Sequence, residues 1–240
     1  MSVQIVTATN AQSAADACAH HIFTLLQAAI TVGGRASLAI SGGSTPRLLF
    51  RTMAAHPFQW DRVHLFFVDE RCVPPADAAS NYKLADENLI APAKIPAANV
   101  HRILGEIPPE EAAKRYAAEI EEFFGLKDGA LPQFDILHRG MGPDAHTASL
   151  FPGDPLIDDH TGIAAATFAR KFNQWRVTLL PGVLLAARNT VFLVAGEDKI
   201  EAMRGVFHQP YDPMKFPSQI GNDRDSVTWF LDEKAAAGLQ

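Results

Sequence analysis

Four short stretches of this sequence hold side chains whose types and spacing could do chemistry. The first is Ser41-Gly42-Gly43-Ser44-Thr45-Pro46. Its glycines would let backbone N–H groups come close to an anion, and a helix starting behind them would add the positive end of its dipole. The hydroxyls of Ser44 and Thr45 can donate further hydrogen bonds to phosphate oxygens. A bare Gly-Gly-Ser serves equally well as a tight turn, and its place directly after an apolar run tilts the reading toward phosphate. It is not a Walker A loop, because no Gly-Lys-Ser/Thr follows, and the GxGxxG spacing is missing too. The second stretch, Asp69-Glu70-Arg71, offers two carboxylates and a guanidinium that could hold a substrate or form a structural surface salt bridge. In the third, Gly142 to Ser149, His146 follows Asp144 by two residues in a glycine-flanked loop. That spacing suits a general base steadied by nearby polar groups. The fourth is Lys199 in Gly196-Glu197-Asp198-Lys199, which alone would read as a lysine at a helix start.

Other chemistries find little support. No His-x-x-x-His, Cys-x-x-Cys or helical His-Glu pair occurs at ligand spacing, so no metal is expected. No Gly-x-Ser-x-Gly elbow occurs, and Ser149 reads as a helix residue rather than a nucleophile. The chain has 240 residues, 48% hydrophobic and 20% charged, with a net charge of −6. That balance disfavours a nucleic-acid partner, whose phosphates demand an excess of cations. The longest stretch free of Asp, Glu, Lys and Arg, Ala17 to Gly34, contains His20, His21, Thr24, Gln27 and Thr31 and is too polar to span a membrane. Cys18 and Cys72 read as two reduced thiols, and the opening MSVQIV lacks the layout of a signal peptide. The reading is a soluble, cytoplasmic protein, with nothing to fix its oligomeric state.

The elements that must position these loops follow from periodicity. Apolar residues at Ala14, Cys18, Ile22, Leu25 and Ala29 predict a helix over Ser13 to Ile30, capped by Ser13 and broken at Gly33-Gly34. Short apolar runs at 37–40, 63–68, 134–137 and 191–195 each end in one of the four polar or glycine loops. Such runs are the pattern of parallel strands buried on both faces. Helical patterns lie between them, one beginning behind Pro46 and another over Glu110 to Phe124. Residues 73–109 predict a long loop with one helix near Tyr82 to Leu89, and 207–221 reads as irregular. The fold class is therefore α/β: an open, doubly wound, mainly parallel sheet with helices on both faces, ligands lying beyond the carboxyl ends of the strands.

Together the four loops resemble one family, the 6-phosphogluconolactonases of the glucosamine/galactosamine-6-phosphate isomerase superfamily. Ser41–Pro46, Asp69–Arg71, Gly140–Pro152, Arg176–Leu179 and Gly196–Lys199 follow the family's pattern in order. Asn81-Tyr82 and Thr228–Asp232 extend the match over nearly the whole chain, as one domain over 1–240. The run His146-Thr147-Ala148-Ser149-Leu150-Phe151-Pro152 is its most specific part. The resemblance implies hydrolysis of 6-phospho-D-glucono-1,5-lactone to 6-phosphogluconate in the oxidative pentose phosphate pathway, without metal or other cofactor. It implies that His146 activates water, with Asp144 beside it. It also implies that Gly42, Gly43, Ser44, Thr45, Asp69, Arg71, Arg176 and Lys199 hold the sugar phosphate.

Two residues depart from that pattern. Ala145 stands where the family has glycine, and if that position needs positive φ, alanine carries strain of about 1 kcal/mol. His138-Arg139 replaces an apolar pair at the end of a strand and places an extra cation near the site. Two rival readings remain. A glucosamine-6-phosphate deaminase would use Asp69 as its acid–base group, but its pattern has tyrosine at Arg71 and a glutamate after the histidine loop. Here Thr147 to Gly153 contains no carboxylate. A non-catalytic sugar-phosphate sensor would need the pocket but not His146.

Overall fold

The computed structural model describes residues 3–127 and 129–240. In chain order its strands are β1 (Gln4–Ala8), β2 (Ala36–Ile40), β3 (Val63–Phe67), β4 (Asp69–Arg71) and β5 (Val100–His101), then β6 (Ile136–Arg139), β7 (Ala164–Ala169), β8 (Gln174–Leu179), β9 (Asn189–Val194) and β10 (Val227–Asp232). Seven of them form one sheet in the order β1-β10-β9-β6-β2-β3-β5. Every pairing in it is parallel. All residues of β2 and β6 are buried, which is why both read as apolar runs without alternation. Helices α1 (Ala11–Gly33), α2 (Ser44–Ala55), α3 (Asn81–Ala85), α4 (Pro109–Phe124) and α5 (Ile200–His208) pack around the sheets.

The strand order locates the site. From β2 the chain moves outward through β3 to β5, then returns to β6 on the other side of β2 and moves through β9 to β10. The switch point lies between β2 and β6. Loops leaving their carboxyl ends diverge there and open a crevice, the ligand position of this architecture.

Several boundaries differ from the sequence reading. Helix α1 starts two residues earlier, because the Asn10 side chain, not Ser13, is the cap: Asn10 Oδ1 accepts from Ser13 N at 2.9 Å. Asp69-Glu70-Arg71 is not a loop but a strand. It pairs antiparallel with β8, and β7 completes a three-stranded second sheet. Strand β6 runs two residues past the expected end, burying His138 and Arg139 within it. The irregular reading of 207–221 holds apart from the end of α5 and one short turn at Pro217–Gln219. Among the described residues no helix is long and apolar enough to cross a membrane.

His138 and Arg139 do not enter the cleft as an extra cation; they brace it from below. Burial pushes the His138 imidazole down to about 4, so it is neutral, and Ser41 N donates to its Nδ1 at 3.4 Å at the base of the glycine loop. Burial likewise pushes Arg139 down to about 9. Its Nε donates to Thr147 Oγ1 at 3.2 Å, its Nη1 to Ile220 O at 2.8 Å, and its guanidinium lies 4.6 Å from the Phe192 ring centre. Arg139 thus ties the histidine loop to the 207–221 segment.

Candidate active site

Above the β2–β6 switch point lies a cleft of about 630 Å³. The loop after β2 brings Gly42 to Thr45, the loop after β6 brings His146, and the turn after β9 brings Lys199. The second sheet supplies Asp69 and Arg71 from β4 and Arg176 from β8. Every binding residue named from the sequence therefore lines one cavity. Asp144 is the exception: it stands behind His146 and is absent from the cleft wall.

The histidine loop is built to present one ring nitrogen. His146 Nδ1 lies 2.5 Å from Asp144 Oδ1, and the Phe151 ring centre is 4.4 Å from the imidazole. With Nδ1 engaged, Nε2 is the nitrogen left for a water or substrate in the cleft. Half-burial pushes the Asp144 carboxyl up, but hydrogen bonds from His146 and Lys171 outweigh it and hold the group far below the usual carboxylate range. Asp144 therefore stays ionised and acts as an acceptor. The close pairing has a backbone requirement. A Cβ on Gly142 would come within 2.0 Å of His146 Nδ1, so only glycine lets the ring and Asp144 pack over that position.

The cationic face of the cleft owes its charge to strand register. Arg71 and Arg176 are directly opposite on β4 and β8, so two guanidiniums project into the cleft side by side. Like charges so placed repel each other, and a bound anion relieves the repulsion. Burial, opposed by Asp69 and reinforced by Arg71, lowers the proton affinity of Arg176. Arg71 Nη1 donates to Ala79 O at 2.6 Å, while the buried Nε atoms of both arginines have no partner among the described residues. Lys199, from the turn after β9, pairs with Asp198 at 2.9 Å. Gly42 is fixed by contact: a Cβ there would meet Asn81 Oδ1 at 1.8 Å.

The carboxylates of Asp69-Glu70 divide their work, and neither forms the surface salt bridge that the motif also allowed. Asp69 is buried in the cleft wall, accepting from Ser149 Oγ at 2.6 Å and from Asn81 Nδ2. Glu70 does not line the cleft. It accepts from the backbone N–H groups of Arg71, Asn81 and Tyr82 and from Ser80 Oγ, which anchors the start of α3. Burial pushes its carboxyl up against those four donors.

Sequence reasoning missed Asn81, Phe172 and Gln174 as lining residues, and Lys171 and Ser218 as supports. Asn81 had a signal, the Ser80 cap before a short helix. Ser218 had none, since it reaches the histidine loop from 72 residues away.

Ala145 occupies the left-handed region at φ +62°, and Ala148 joins it at +53°. The condition for strain at Ala145 is thus met, at about 1–2 kcal/mol for an L-residue. The loop tolerates it because Ser218 donates to Ala145 O from both its N (2.9 Å) and its Oγ (2.8 Å), and the methyl is buried. Ala145→Gly removes the strain but also one buried methyl, about 0.8 kcal/mol, and raises unfolded-chain entropy by up to about 1 kcal/mol. The terms nearly cancel. We expect a stability change below about 1 kcal/mol in denaturant unfolding and turnover at or modestly above the starting value; a clear loss in both would show that no strain resides there.

Comparison with known proteins places the chain among its relatives. The sequence pattern of a family described as glucosamine-6-phosphate isomerases/6-phosphogluconolactonase matches residues 9–229. The chain is 32% identical to the 6-phosphogluconolactonase of Synechocystis sp. over 241 residues, covering 100% of both. It is 36% identical to that of Nostoc sp. over 91% of this chain and 90% of the relative. Among solved structures, 6-phosphogluconolactonase from Trypanosoma cruzi superimposes with a TM-score of 0.88 at 26% identity, covering 100% of this chain and 98% of the other. With the family pattern matched over residues 9–229 and relatives at 32% and 36% identity over nine tenths or more of both chains, the chain belongs to the glucosamine-6-phosphate isomerase/6-phosphogluconolactonase family.

Proposed function

We propose that the protein hydrolyses 6-phospho-D-glucono-1,5-lactone to 6-phosphogluconate, the lactone-opening step of the oxidative pentose phosphate pathway, in the cytoplasm. The observation that carries this reading is the His146–Asp144 pair presenting His146 to one cleft that two arginines and a lysine also line. A lactone is an activated ester, so a placed water, one base and charge stabilisation are enough. His146 Nε2 takes a proton from water as the oxygen adds to C1 of the lactone. Asp144 stabilises the imidazolium that results. The tetrahedral oxyanion then collapses, the C1–ring oxygen bond breaks, and the imidazolium returns its proton to the departing ring oxygen. The new carboxylic acid ionises. Meanwhile the phosphate, held by the Gly42–Thr45 loop, Arg71, Arg176 and Lys199, supplies binding energy remote from C1 that orients the ring.

Two observations weigh against the isomerase half of the family description. Asp69, the acid–base candidate for that chemistry, is tied to Ser149 and Asn81, and Thr147 to Gly153 offers no second carboxylate. Free thiols at Cys18 and Cys72 fit a reducing compartment.

The test is an assay of purified protein on freshly generated lactone, subtracting spontaneous opening in water. We expect acid release well above background and no ammonia from glucosamine 6-phosphate. A lactone-opening rate equal to background would overturn the proposal.

A further inference from the structure

We propose that Lys171 is a positioning residue of this site: its ammonium holds the outer oxygen of Asp144 and so sets the orientation of His146 and the ease with which it takes a proton. Each oxygen of Asp144 is engaged by a different residue, and Oδ1 also accepts the His146 backbone N–H at 3.4 Å. His146 Nδ1 lies 2.5 Å from Oδ1, and Lys171 Nζ donates to Oδ2 at 3.0 Å. The carboxylate is clamped between a ring that faces the cleft and a lysine that does not. A carboxylate held at one oxygen can rotate and carry its histidine with it; held at both, it cannot.

Lys171 is itself placed by the cleft. It lies in the turn Arg170–Phe172 that joins β7 to β8, closed by Asn173 in the left-handed region at φ +47°. The next residue, Phe172, lines the cleft, its ring centre 5.9 Å from Phe151 and 5.0 Å from the Arg176 guanidinium. Phe151 in turn stacks on His146. One turn therefore links the lysine, the arginine face and the imidazole, and the second sheet acts on the base as well as on the anion.

Electrostatics gives the linkage a sign. A proton arriving on His146 meets Asp144, which favours it, and Lys171, which opposes it. The other charged groups lining the cleft are Asp69, Arg71, Arg176, Asp198 and Lys199. Behind the pair, Asp144 and Lys171 share a second cavity with Asp154 and Arg170. Loss of the Lys171 charge leaves Asp144 unopposed, so the imidazole holds its proton to higher pH. Lys171 is half exposed, and solvent keeps the effect moderate.

The experiment compares Lys171→Met and Lys171→Arg with the parent protein by proton NMR titration of His146 and by pH–rate profiles. In Lys171→Met we expect kcat to fall about three- to tenfold with KM changed less than about twofold. Both the titration and the acid limb of kcat should move to higher pH, and Lys171→Arg should restore most of each. An unmoved titration in folded Lys171→Met, or an arginine variant no better than the methionine one, overturns the proposal. The inference rests on His146 acting as the base. A fully active His146→Ala protein would defeat that reading, whereas the NMR titration decides the Lys171 linkage without turnover.

Discussion

His146→Ala lowers kcat by about 10²–10⁴ while 6-phosphogluconate still binds with nearly its original affinity. The size follows from the step removed. Without Nε2 the attacking water must lose its proton to bulk solvent, and the departing ring oxygen loses its donor. Binding survives because the groups proposed to hold phosphate, the Gly42–Thr45 loop with Arg71, Arg176 and Lys199, are untouched. Folding survives too: Asp144 keeps Lys171 at 3.0 Å, so truncating the ring does not strand a buried unpaired charge. The loop keeps its bonds, Gly142 N donating to His146 O and Ser218 donating to Ala145 O. Product titration by calorimetry beside the lactone assay separates the cases. Full turnover in the folded variant would remove His146 from the chemistry.

The second large effect is one of discrimination. Lys199→Ala should depress kcat/KM for the phosphorylated lactone by about 10–150-fold, the equivalent of a charge-assisted hydrogen bond of about 1.5–3 kcal/mol. Glucono-1,5-lactone, which lacks the phosphate, should lose far less. The Lys199 side chain is mostly buried against the cleft and, among the described residues, paired only with Asp198, whose carboxylate is well exposed and exchanges partners at little expense. A phosphate can therefore take over as the lysine's partner. Equal losses on the two lactones would show that Lys199 shapes the turn after β9 instead.

The site residues carried by the main sheet share one property: each sits on a loop directly after a continuous apolar run. Parallel strands buried on both faces advertise themselves in that way, so the loops after β2, β6 and β9 were legible, and with them Gly42 to Thr45, His146 and Lys199. The second sheet was not. Asp69-Glu70-Arg71 is a three-residue strand of charged residues, and nothing in its composition separates it from a loop; only its pairing with β8 makes it a strand. For the same reason the pairing of Arg71 with Arg176 was invisible, although each had been picked out singly. The edge strand β1 escaped notice because it is mostly exposed and short. Ala145 shows what resemblance adds to periodicity. The strain was foreseen from a missing glycine, and its relief by Ser218 could not be, since that serine arrives from a segment with no regular pattern.

The pairing of β1 with β10 bears on how the protein is made. Gln4–Ala8 docks in parallel register on Val227–Asp232, so β1 leaves the ribosome long before its partner is made. At roughly 5–20 residues per second, β1 trails unpaired for roughly ten to forty-five seconds, with Ile5 and Val6 in reach of other chains. During that interval the strands on either side of the switch point, β2 with β3 and then β6, can already assemble and bury their shared core. Synthesis thus builds the sheet from its centre outward, and the crevice between β2 and β6 takes shape before the chain's first strand has a place to go.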